Sequence, residues 1–171
     1  MRTLFAFTAL AALAFAGAAA ADPVTIAPVS FSNEFQQELD RSIGAREGEI
    51  LRNAVVDSVG RALERRGAAL DQTGGVSIEI TIVDADPNRP TMQQLRYDPT
   101  LDPMRSVSLG GAELVAVIRG GDGRVLSEVR HRRYNHSLED LVGPPTTWTE
   151  ARRAISQFAT KVADAYAANA S

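Results

Sequence analysis

His131 and His136 are the only histidines in this 171-residue chain, and it has no cysteine, so acid-base catalysis through imidazole or a zinc site would have to use them. Five residues apart, they fall on opposite faces of an extended strand. No H-E-x-x-H, nucleophile-elbow or S-x-x-K pattern accompanies them. The enzymatic reading that remains is a hydrolase pairing His131 or His136 with a carboxylate such as Asp98 or Asp102. The plainer reading has His131 as a partly buried polar side chain and His136 at the surface.

Arg130-His131-Arg132-Arg133 is the densest basic run. In a strand Arg130, Arg132 and Tyr134 point to one side, and paired guanidiniums there suit a carboxylate, a phosphate or an acidic protein surface. Val115 and Val117 belong to the same face, which mixes valines with arginines and a tyrosine as covered surfaces do. Arg89, at the head of a proline-rich stretch, completes the candidate binding set. Asp84, Asp86 and Asn88 have the spacing that opens a calcium loop, but Arg89 stands where that loop needs glycine and Leu95 where it needs a carboxylate. Polar groups closing a strand exit explain them better. No metal and no cofactor are expected.

The elements that position these groups follow from periodicity. Ser106–His136 reads as two antiparallel strands joined through Arg119-Gly120-Gly121-Asp122-Gly123-Arg124. The joint is either a Gly121-Asp122 type II′ turn or an Asp122-Gly123 type I′ turn. Ala112, Leu114, Ala116 and Ile118 then share the core face with Val125, Ser127, Val129 and His131, while Glu113 lies opposite Arg130 or Arg132 on the other. Val24–Phe31 is β-branched and interrupted by Pro28, which predicts an edge strand or one ending there. Residues 32–44 are ambiguous. Glu47–Arg66 carries apolar pairs every four residues and ends at Gly67, an amphipathic helix with its terminator. Val76, Ile78, Ile80 and Ile82 alternate with polar residues in a strand expected to end before Asp84.

The stretch at about 86–104 holds four prolines and no period, and is expected to be a long loop. It is the first-ranked site candidate and the simplest cover for Val115 and Val117. Thr147–Glu150 matches a capping box opening a final amphipathic helix, with Trp148 an aromatic at the core edge. The order β-α-β-β-β-α implies an α+β two-layer sandwich, about four mostly antiparallel strands with two amphipathic helices on one face. Its first strand pair is expected to be parallel.

Residues 1–21 combine Arg2, an apolar run from Leu4 to about Ala16 and a small-residue tail, the pattern of a cleaved secretory signal peptide; 22–171 then form one domain. The apolar run is shorter than the roughly 20 residues of a membrane span. All the basic residues but Lys161 are arginine, and alanine is abundant, a bias that fits a GC-rich bacterial genome. Removal of Arg2 leaves 17 basic and 21 acidic residues, a formal charge of −4 that argues against general nucleic-acid binding.

The expectation is a soluble periplasmic accessory or binding protein. It meets an envelope protein or a second copy of itself through the outer sheet face; a hydrolase or small-ligand binder is the alternative. The element order and export signal are broadly similar to small accessory domains of envelope assemblies such as the amino-terminal domain of TolB proteins, a likeness of topology that transfers no residue.

Overall fold

Alternating and helical apolar patterns become five strands and four α-helices in the computed structural model, which describes residues 23–71, 75–141 and 143–170. The export segment expected at 1–21 and the turn residues 72–74 lie outside these. Strands β1 (Val24–Ile26), β2 (Ser30–Phe31), β3 (Val76–Asp86), β4 (Gly111–Arg119) and β5 (Val125–Tyr134) form one mixed sheet of order β1-β3-β4-β5, with β2 also pairing β3. Both short strands run parallel to β3, and β3, β4 and β5 are antiparallel. Pro28, which cannot donate to a ladder, lies between β1 and β2, so the expected first strand is two and the sheet has five rather than four.

Helices α1 (Asn33–Glu38), α2 (Ala45–Arg65), α3 (Met92–Tyr97) and α4 (Thr149–Asn169) complete the α+β two-layer sandwich. Leu51, Val55, Val59 and Leu63 of α2 and Ile155, Phe158 and Val162 of α4 are buried in one core with Ile78, Ile80, Ile82, Leu114 and Ile118 of the sheet. Gly67 ends the long helix as expected, its φ of 82° allowing the Ala68 N–H to return to Leu63 O at 3.1 Å. The ambiguous stretch is helical: Ser32 caps α1 through the Phe35 N–H, and a π-helical turn at Leu39–Ile43 leads to Gly44. Among the described residues no helix is long and apolar enough to cross a membrane.

Four local expectations are corrected. The hairpin uses neither two-residue turn. Gly123 N–H bonds Gly120 O at 2.8 Å, Gly120 N–H bonds Arg124 O at 3.0 Å, and of the loop glycines Gly123 alone has positive φ, so a three-residue loop with a register shift replaces them and leaves Val125 exposed. Strand β3 continues through Asp86 because a bulge between Ile82 and Asp84 re-aims it and buries Ala85. The proline-rich stretch is not structureless, since Thr91 and Gln94 form a capping box that starts α3. The box expected at Thr147 and Glu150 does not form: α4 begins at Thr149, and the Glu150 N–H goes to Asn88 Oδ1 at 2.8 Å.

Candidate functional site

Register places Glu113 opposite Arg132, Val115 opposite Arg130 and Val117 opposite Glu128, all on the sheet face away from α4. Arg130 Nε donates to Glu113 Oε1 at 2.7 Å, and Arg132 Nε lies 3.3 Å from Oε2. The Glu113 side chain is 13% exposed beneath the two guanidiniums, which remain 70% and 69% exposed. One carboxylate thus fixes two arginines whose outer edges stay in solvent. Val115 and Val117 sit partly buried beside them, flanked on β3 by Thr81 and Glu79. The proline-rich stretch does not supply a helix to cover them, because α3 packs on the Leu39–Ile43 turn instead.

The arginine pair ends at Tyr134, over whose ring the Arg132 guanidinium lies 4.8 Å from the centroid. The Tyr134 hydroxyl donates to Asp84 Oδ2 at 2.6 Å. Gly111, opposite Tyr134, has no side chain, and a Cβ there would stand 2.5 Å from Tyr134 Cδ1, so glycine is what lets the ring lie over β4. Burial, then the bond to Asp84, pushes the phenol far above its usual pKa, so it remains a donor.

Two residues beyond Asp84, Asp86 enters an open cleft of about 780 Å³ bounded by Glu38, Arg89, Gln94, Arg105 and Leu109. Burial first, then Asp84, raises the Asp86 carboxyl above its ordinary value. Burial, then Asp84 and Asp86, raises Glu38 against the opposing pull of Arg41. The stretch around the cleft exposes Met92, Tyr97 and Met104 at 65, 76 and 75%. Outer face and cleft therefore meet at Asp84 and Asp86.

Arg89 borders this cleft, yet its guanidinium is spent on backbone: Nε donates to Pro145 O at 2.6 Å and Nη1 to Met104 O at 2.5 Å. Beside it the fully buried Asn88 donates to Ser108 O at 3.1 Å and Leu109 O at 2.9 Å while capping α4. These two residues hold the stretch to the domain. Trp148 is buried, as its type suggested, and its indole donates to Glu47 Oε2 at 2.7 Å, a link 101 residues apart in sequence.

Among the described residues neither histidine bonds Asp98 or Asp102, the carboxylates a hydrolase would need beside it. His131 faces α4, where the Lys161 ammonium, able only to donate, bonds Nδ1 at 3.0 Å and leaves the proton on Nε2 toward Gln157 Oε1 at 3.2 Å. Burial, then Lys161, lowers its pKa, which favours the neutral ring. His136 is exposed. Asp98 accepts from Thr100, and Asp102 from the Met104 and Arg105 N–H groups, closing local turns. Among the described residues no group of three or more histidines, aspartates and glutamates is placed to hold a metal ion.

Sequence reasoning read Glu150 as a helix-capping residue and missed its burial between Arg133 Nη1 and Arg153 Nη1, each at 2.5 Å. The facing of Arg133 on the core side of β5 was the available signal. The cleft, by contrast, lies along the stretch ranked first as a site candidate, with residues from Asp86 to Gly110 lining it, and only Glu38 comes from a distant segment that left no local pattern.

No family model matches the chain, and no curated protein matches it. Among solved structures it is similar to a Xanthomonas campestris protein of the DUF330 family, at 17% identity and a TM-score of 0.41, over 83% of this chain and 79% of that chain. It is also similar to a minor lipoprotein from Acinetobacter baumannii, at 10% identity and a TM-score of 0.35, over 85% and 93%.

Proposed function

We propose that this chain is an exported, non-enzymatic accessory protein of the bacterial envelope that binds a protein partner on the outer face of β4 and β5 and the adjoining lip of the cleft. The observation that carries the reading is the partly exposed pair Val115 and Val117, with no helix over them among the described residues, beside two arginines already oriented by Glu113. Apolar centres with charged rims are what protein interfaces use. The exposed Met92, Tyr97 and Met104 extend the apolar area, and methionine adapts readily to a partner's shape. The signal-type pattern of residues 1–21 supports an exported location.

The test is affinity capture from envelope extract with the parent chain and with Arg130→Ala plus Arg132→Ala. Loss of the same specific partner from the double variant supports the reading, and undiminished recovery rejects this surface. Small-ligand capture is the second reading, favoured by the cleft, whose volume falls in the range of ligand pockets. It predicts a thermal shift with a metabolite mixture that Glu38→Gln abolishes.

A further inference from the structure

Strand β5 ends the sheet, and among the described residues no strand or bridge pairs with its other side. Its ten residues, Val125–Tyr134, include no proline or glycine, and from Ser127 to Tyr134 the register with β4 runs without a shift. Such an edge offers a row of backbone donors and acceptors to another strand.

The ladder decides which groups are offered. The Asn135 N–H bonds Gly110 O at 3.2 Å, one step beyond the Gly111 and Tyr134 pair, so the opposed residues 110 and 135 are a hydrogen-bonded pair. Hydrogen-bonded and non-hydrogen-bonded pairs alternate along an antiparallel ladder. Odd-numbered residues of β5 therefore turn their N–H and C=O toward β4. Glu128, Arg130 and Arg132 turn theirs to the open edge.

From this edge we infer that β5 pairs antiparallel with β5 of a second copy of this chain, about a two-fold axis at Val129. In that register Glu128 of each copy faces Arg130 of the other, giving two opposite-charge pairs. Glu128 makes no ion pair among the described residues, and the Arg130 guanidinium, bonded to Glu113 on β4, remains 70% exposed and so open to a second carboxylate. Val129 meets its own copy as a close apolar pair, and Ser127 faces His131. Centring the axis on Arg130 sets arginine against arginine, centring it on His131 sets Arg130 against Arg132, and centring it on Glu128 sets glutamate against glutamate. The charge order thus selects one register, and it is self-complementary, which an isologous interface requires and an unrelated strand would not need. The pairing stands independently of the partner proposed above and would join two outer faces into one continuous sheet.

Sedimentation equilibrium of the exported chain is expected to show a monomer-dimer equilibrium. Arg130→Pro removes an N–H that the intrachain ladder does not use, and Glu128→Arg replaces both charge pairs with repulsion. Each should weaken the dimer by about tenfold or more. Circular dichroism establishes that each variant is folded; if Arg130→Pro is not, Glu128→Arg decides alone. Val129→Cys, in a chain with no other cysteine, should give an oxidised dimer that Ser127→Cys does not. A chain that stays monomeric, or a dimer that the folded variants leave intact, overturns the inference.

Discussion

The Tyr134 hydroxyl on β5 reaches Asp84 on β3 at 2.6 Å, crossing β4 where Gly111 leaves room for the ring. This contact ties three strands together on the outer face and marks the boundary between that face and the cleft. Tyr134→Phe removes one charge-assisted bond and is expected to lower stability by about 1 to 2 kcal/mol, read from urea unfolding. Gly111→Ala should cost more than Tyr134→Phe, because its Cβ also meets the Arg133 carbonyl and the Tyr134 backbone. Equal stability of the parent and Gly111→Ala would refute the packing argument.

Asn88 uses both halves of its amide, donating to two carbonyls and accepting from the Glu150 N–H. Asn88→Asp keeps the shape but turns an oxygen toward Ser108 O and Leu109 O. The variant should be destabilised by at least the 1 to 3 kcal/mol of roughly one unsatisfied buried polar group. Thermal unfolding checks it; an unchanged midpoint would show that the amide bonds are not what holds this junction.

The faces of the central strand and the end of the long helix were legible in the chain itself. Alternation in Ala112–Ile118 assigned the two faces of β4 correctly, and Gly67 marked the end of α2, because both signals are local and repeat. Contacts distant in sequence were not legible. Nothing near Thr147 shows that Asn88, 62 residues away from Glu150, will take over the capping of α4, and so the local capping box misled. The α3 box at Thr91 and Gln94 was visible in residue type but obscured by the prolines around it. Arg89 is a basic residue beside a cleft, which suggests binding; only the three-dimensional arrangement shows its guanidinium on backbone carbonyls.

His131 makes stability depend on pH. An unfolded histidine titrates near 6.5, and burial followed by the Lys161 charge holds the folded value lower. As pH falls through 6.5 the unfolded chain takes up a proton that the folded chain refuses, so this contribution is complete above 6.5 and is lost as pH drops toward the folded value. Glu38 and Asp86, whose folded values are raised, give the opposite slope at lower pH. The difference between the parent and His131→Gln in urea midpoints across pH 5 to 7, about the imidazole range, should isolate the histidine. A difference that does not vary with pH would contradict the assignment.

Arg89→Lys should loosen the stretch without unfolding the domain, since a single ammonium cannot reproduce the fork that reaches Pro145 O and Met104 O together. Limited proteolysis is expected to cut the variant first near Met104, with its global unfolding midpoint little changed. Cleavage at the parent rate would show that the fork does not anchor the stretch.

The most direct test of the outer face as the working surface is site-specific photo-crosslinking in the producing cell, with the probe at Val115 or Val117 and a control probe at Asp57, exposed on α2. The account predicts one discrete adduct from each valine position, weakened by Arg130→Ala plus Arg132→Ala, and none from Asp57. Adducts from Asp57 alone, or from all three positions equally, would contradict it.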